Sequence, residues 1–120
     1  MEATLFEHVN LGGKTYHIRP ATGYKMSPNA PEGFYWRYDL SDKGWNDIVS
    51  SVSVQSGWLA VYEHANMEGS CFVFEPGKRY DDLRSWGDRI SSFVISDRRF
   101  DPQQLADIAQ RLRGEVGVRS

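Results

Sequence analysis

Tyr62-Glu63-His64-Ala65-Asn66-Met67-Glu68-Gly69, followed at a distance by Trp86-Gly87-Asp88-Arg89-Ile90-Ser91-Ser92-Phe93, decides how this chain folds, because each segment occurs twice. Phe6-Glu7-His8-Val9-Asn10-Leu11-Gly12-Gly13 copies the first, 56 residues earlier, with the same aromatic start, Glu, His, Asn and final Gly. Trp45-Asn46-Asp47-Ile48-Val49-Ser50-Ser51-Val52 copies the second at an offset of 41, so the first copy carries 15 additional residues between its landmarks. The chain is an internal repeat. A domain of 120 residues has room for a single core, so the two copies are half-domains that share it.

Each copy reads as β structure. Thr4 to His8 and Thr15 to Arg19 are β-branched and aromatic runs broken by Asn10-Leu11-Gly12-Gly13, and Trp58 to His64 and Ser70 to Glu75 repeat this around Asn66-Met67-Glu68-Gly69. Gly13 and Gly69 fall where a folded-over hairpin needs positive φ or a close backbone approach. Ser51 to Gln55 and Ser92 to Ser96 alternate Val52/Val54 and Phe93/Ile95 with smaller residues, the period of a strand with one face on a core. Gly57 ends the first half, and almost no linker precedes the second.

Between Pro20 and Gly44 the pattern loosens into a Pro- and Gly-rich loop interrupted by Phe34-Tyr35-Trp36-Arg37-Tyr38. Aromatic rings at that density are expected to form an extra edge strand over one end of the sandwich, with an aromatic ligand-binding patch as the alternative. Beyond the last strand, Asp101 suits an N-cap, Pro102 the first helical position and Gln104 a capping box, and Phe100 can staple onto Leu105. Leu105, Ile108, Ala109 and Leu112 then form one apolar stripe, with Gly114 as the stop. So short a helix is marginal alone in water, and its stripe has to dock on its own domain or on a second copy of the chain.

A net charge of −2 supplies no field that would recruit nucleic acid or an anionic membrane, and the arginines at 98, 99, 111, 113 and 119 are interspersed with acids. The single cysteine, Cys71, excludes an intrachain disulfide, and its place in Cys71-Phe72-Val73-Phe74 reads as a small buried hydrophobe. With no leader-like or membrane-spanning stretch, the expected location is the cytoplasm, or outside the cell if a leader precedes these residues.

The chemistry sits in Asn46-Asp47-Ile48-Val49-Ser50-Ser51 and Gly87-Asp88-Arg89-Ile90-Ser91-Ser92. Each combines a carboxylate, a hydroxyl three residues on and loop carbonyls between. Such hard oxygen donors suit Ca²⁺ better than Zn²⁺. His8, His17, His64 and Cys71 lack zinc-ligand spacing, and no nucleophile elbow, phosphate loop or HExxH is present, so an enzyme is not expected.

On these residues the chain resembles a microbial-type βγ-crystallin domain. The Greek-key signature of that family, an aromatic, four residues, an aromatic, one residue and Gly, is approximated by Phe6…Leu11-x-Gly13 and Tyr62…Met67-x-Gly69, both departing at the second aromatic. The family's calcium motif, Asn/Asp-Asn/Asp-x-x-Ser/Thr-Ser, is met in full from Asn46 to Ser51 and departs at Gly87 in the second copy. Tyr80 to Trp86 resembles the tyrosine-corner segment that precedes the motif. The resemblance covers residues 3 to 96 and implies a double clamp for two calcium ions. One site would use the Glu7 carbonyl, Asp47 with the Ile48 carbonyl, and Ser91; the other would use the Glu63 carbonyl, Asp88 with the Arg89 carbonyl, and Ser50. Asn46 and Gly87 head the two motifs. With about one carboxylate per site, affinity is expected at micromolar or weaker, and the missing side chain at Gly87 makes the Asp88 site the weaker.

The expected architecture is therefore all-β: two Greek-key motifs forming a βγ-crystallin-like β-sandwich over residues 1–97, plus a short C-terminal α-helix in an extension over 98–120. Motif one spans 3–56 with an inserted loop at about 20–44, and motif two spans 57–97. The expected function is binding of up to two Ca²⁺ ions that stabilise the fold, with no nucleic-acid or membrane partner and a homodimer through the helix or the aromatic insertion as the protein partner to look for. The competing reading is a calcium-independent interaction or inhibitor module acting through either of those two features.

Overall fold

A computed structural model of the chain describes residues 1–20, 33–37, 39–45 and 47–100, together with Gln103, Asp107 and Gln110. The alternating segments become eight strands: β1 (Glu2–His8), β2 (Gly12–Ile18), β3 (Phe34–Arg37), β4 (Ser51–Ser56), β5 (Trp58–His64), β6 (Glu68–Phe74), β7 (Lys78–Tyr80) and β8 (Ser92–Ser96). They form two antiparallel four-stranded sheets, in the orders β2-β1-β4-β7 and β3-β8-β5-β6. Each half thus places three strands in one sheet and sends its third strand, β3 or β7, to the edge of the other.

That exchange locates the aromatic segment. β3 is an edge strand, as expected, and pairs with β8 from Phe34↔Ser96 to Arg37↔Phe93. It is not an extra strand, however, because it occupies the place that β7 holds against β4 in the first sheet. Residues 19–33 precede β3 where residues 75–77 suffice before β7, so most of the inserted length lies there. Residues 21–32, Tyr38 and Asn46 lie outside the described residues.

Period-two alternation sends Ala3, Leu5, Val52 and Val54 from one sheet and Leu59, Val61, Phe93 and Ile95 from the other into a shared interior. All eight are at most 1% exposed, and burial of each large side chain stabilises by roughly 1.5–3 kcal/mol. Leu40, Trp45, Val49, Leu83 and Ile90 from the connections join this core. Each half also carries a 3₁₀ turn before its motif, Leu40–Lys43 or Arg84–Trp86. An aspartate anchors each: Asp39 Oδ1 accepts from Ser41 N and Asp82 Oδ1 from Arg84 N, both at 2.9 Å.

Cys71 is exposed, against the expectation of burial. β6 is the edge of its sheet, and burial along Cys71 to Phe74 rises from exposed to fully buried only at Phe74. An apolar run on an edge strand need not be covered on both faces. Beyond Phe100, Gln103, Asp107 and Gln110 have helical backbone, and Gln103 Nε2 donates to Asp107 Oδ1 at 3.0 Å. Leu105, Ile108, Ala109 and Leu112, which carry the expected stripe, lie outside the described residues.

Candidate metal centre

The hairpins β1–β2 and β5–β6 fold over in the same way. Asn10 and Leu11, like Asn66 and Met67, have φ of 55–60°, and Gly13 and Gly69 follow at 77° and 82°. A Cβ at Gly13 would meet His8 Cδ2 at 2.5 Å, and one at Gly69 would meet His64 Cδ2 at 2.6 Å. Glycine is required there by both backbone angle and space. The β1–β2 register slips between Phe6 and His8, and the β5–β6 register between Tyr62 and His64, so Glu7 and Glu63 sit at bulges without a registered partner. A bulge at each position leaves a main-chain carbonyl outside the regular ladder, as a ligand would need.

The last serine of each motif clasps its own hairpin. Ser51 Oγ donates to the His8 carbonyl at 2.6 Å and accepts from Leu11 N at 3.0 Å. Ser92 Oγ does the same with the His64 carbonyl at 2.7 Å and Met67 N at 3.1 Å. Both serines are 0% exposed. The sequence pattern includes both serines as the last position of each motif and gives them no role of their own; the structure makes them the clasps of their hairpins.

The preceding serines point across the pseudo-dyad. Ser50 Oγ donates to Asp88 Oδ1 at 3.3 Å, and Ser91 Oγ donates to Asp47 Oδ1 at 3.1 Å. The main chain repeats the exchange: Asp47 N donates to the Ile90 carbonyl at 3.0 Å and Asp88 N to the Val49 carbonyl at 2.9 Å. Both aspartates have a φ of 59°, a left-handed kink between the 3₁₀ turn and the strand. Ile48 and Arg89 follow these aspartates directly in the chain. Gly87 donates to the Arg84 carbonyl at 3.0 Å, and a Cβ there would lie 3.2 Å from that oxygen, which favours the smallest residue.

One grouping differs from the expected double clamp. Ser50 N donates to the Phe6 carbonyl and Ser91 N to the Tyr62 carbonyl, each at 2.9 Å, because the first and last strands of each half are neighbours in one sheet. The Glu7 bulge therefore stands with Ser50 and Asp88, and the Glu63 bulge with Ser91 and Asp47. The two hairpins exchange sites relative to the expected sets, while the inventory of donors is unchanged. Asp47, Glu63, His64, Asp88, Arg89 and Ser91 line an open cleft of about 420 Å³.

Two Asp–Ser oxygen pairs, 3.1 and 3.3 Å apart, match the spacing of neighbouring ligands on one cation. Oxygens each about 2.4 Å from an ion would subtend roughly 80–87° at those separations. Among the described residues no three His, Cys, Asp or Glu side chains converge, so any ligand set here draws on carbonyls and hydroxyls as well as carboxylates. The donors fit a hard cation and not a soft one.

Electrostatics break the symmetry. Arg89 forms an ion pair with Glu63 and lies 5.0 Å from the Trp86 ring centroid, whereas its counterpart, Ile48, is apolar. Its hydrogen bond holds the Glu63 carboxyl below the usual glutamate range. The guanidinium thus places a positive charge in the cleft that contains Asp47 and Ser91.

A sequence model described as Beta/Gamma crystallin matches residues 37–99. A protein from Ciona intestinalis described as Beta/gamma-crystallin is 34% identical over 91 residues, covering 73% of this chain and 89% of that protein. Among solved structures, the beta gamma crystallin from Ciona intestinalis superimposes with a TM-score of 0.61 at 30% identity, over 78% of this chain and 96% of that one. A double mutant of a betagamma-crystallin domain from Clostridium beijerinckii gives 0.60 at 26% identity, over 82% and 99%.

Proposed function

The chain belongs to the beta/gamma-crystallin family, and on that footing we propose that it binds up to two calcium ions between its paired motifs and is stabilised by them. The reading rests on one observation, the reciprocal pairing of Ser50 with Asp88 and Ser91 with Asp47 across the two halves. Each hydroxyl can turn a lone pair to an ion while the carboxylate stays in place, so little rearrangement is required. The donors at one site are the Glu7 carbonyl, Ser50 and Asp88 with the Arg89 carbonyl; at the other they are the Glu63 carbonyl, Ser91 and Asp47 with the Ile48 carbonyl. Asn46 and Gly87 lead into the two loops. One carboxylate per site favours micromolar or weaker affinity.

An ion held by groups from both halves cross-links them, and binding to the folded state alone stabilises it. At a hundredfold excess over Kd the gain is roughly 2.7 kcal/mol per site. Calorimetric titration and thermal melting in calcium against chelator test this. The wild type should give saturable heat and a melting temperature higher by roughly 10 °C for each filled site, and Asp47→Ala with Asp88→Ala should lose both while keeping the chelator-state fold. Absence of either effect in the wild type would favour the competing reading, a calcium-independent interaction or inhibitor module without enzymatic activity. Arg89 is the observation on that side, since its guanidinium opposes a cation beside Asp47 and offsets the ranking expected from Gly87.

A further inference from the structure

Facing sheets in a sandwich have inner faces that pack together and outer faces that meet water. The outer face of the first sheet is the wetter one, with Thr15, His17 and Gln55 exposed around a buried Thr4. The second sheet departs from this pattern. Phe34 and Trp36 on β3, Val94 on β8, Trp58, Ala60 and Tyr62 on β5 and Val73 on β6 alternate with the residues that face the shared core, so they form the opposite face. They make a separate apolar cluster in which Trp36 is 2%, Ala60 0%, Tyr62 4% and Val94 0% exposed.

Phe100 sits on this cluster, its ring centroid 6.1 Å from that of Phe34, and Arg99 lies 5.7 Å from the Trp58 ring. One phenyl ring cannot cover four adjacent strands, which span roughly 14 Å at about 4.8 Å per spacing. A helix with its side chains is about 10–12 Å across, and residues 101–114 would extend it by roughly 21 Å, close to the length of these strands. Gln103, Asp107 and Gln110 are helical and exposed. Their spacing of four and three residues places them on one helix face, and Leu105, Ile108, Ala109 and Leu112 fall on the opposite face.

We propose that the outer face of the second sheet is a docking surface for the chain's own residues 101–114, which cover it as a helix with that apolar stripe inward. Phe100, already seated, tethers the segment within reach, so its own chain outcompetes a second copy at ordinary concentration. The stripe is then unavailable for dimerisation, and the fold acquires a third layer independent of calcium.

A nitroxide label on Gln110→Cys, in a Cys71→Ser background, tests this by paramagnetic broadening of methyl resonances. Both substituted residues are exposed, so the fold should persist. Ala60 and Val94 methyls should lose most of their intensity, while Ala3 and Val52 in the other sheet lose far less. Equal broadening of both sets, or none at Ala60 and Val94, would overturn the proposal. So would broadening that transfers fully to unlabelled, isotopically enriched chains mixed with labelled, unenriched ones, since that would make a second copy the occupant.

Discussion

Adjacent serines in one motif should respond in opposite ways to the same substitution. Ser51→Ala removes a hydroxyl at 0% exposure that accepts from Leu11 N and donates to the His8 carbonyl. Two part-buried main-chain groups lose their partner at up to about 1–3 kcal/mol each, partly relieved by local water entry, so roughly 2–4 kcal/mol of stability should disappear. At about 4 °C per kcal/mol for a domain near this size, the melting temperature should fall by roughly 8–16 °C. Ser50→Ala removes a hydroxyl whose bond to Asp88 is exposed, and its cost without calcium should stay within about 0.5 kcal/mol. Urea unfolding in chelator measures both without interference from the ion. Calcium titration then reverses the order, because Ser50→Ala loses a ligand while folded Ser51→Ala keeps it. Equal destabilisation by the two variants, or a Ser51→Ala loss below about 0.5 kcal/mol, would refute the division of labour between clasp and ligand.

Arg89→Met should raise calcium affinity in the cleft with Asp47 and Ser91 severalfold by calorimetry; unchanged affinity would mean the guanidinium is not opposing the ion. The same variant should return the Glu63 carboxyl to the ordinary range in an NMR titration. Its folded-state pKa is lowered by Arg89, so the stabilising contribution of the pair is present above the unfolded glutamate pKa and is lost as pH falls through the lower folded value. Gly13→Ala and Gly69→Ala should each destabilise by at least about 1–2 kcal/mol from the left-handed backbone, with a further cost from the histidine ring each methyl would meet, read by denaturant unfolding. Cys71 should react with a thiol reagent in the native protein, but more slowly than in the urea-unfolded chain because partial burial pushes its thiol pKa up, and Cys71→Ser should change stability by no more than about 0.5 kcal/mol.

Much of the fold was legible because it depends on near neighbours in the chain. β-Branched and aromatic composition located β1, β2, β5 and β6, alternation located β4 and β8, and the repeated Asn-x-x-Gly ending marked two hairpins whose glycines occupy left-handed backbone. The segment Phe34 to Tyr38 was recognisable as a strand, yet its equivalence to β7 was hidden by the residues inserted before it. The Asp-x-x-Ser spacing singled out the four side chains that pair across the halves, and it could not say which hairpin stands beside which pair. Cys71 was misplaced because an apolar run looks the same on an edge strand as on a central one.

The sequence by itself determined that two related β half-domains share one core and that each carries an aspartate and two serines leading into its last strand. Side-chain period, glycine backbone freedom and motif spacing are properties of short stretches, so they survive without coordinates. Tertiary structure alone decided that the third strands change sheets, that each aspartate faces the serine of the other half, and that the Glu7 bulge sits with Asp88. Those relations join residues at least 24 positions apart, and they arise from how the sheets pack, which no local pattern encodes.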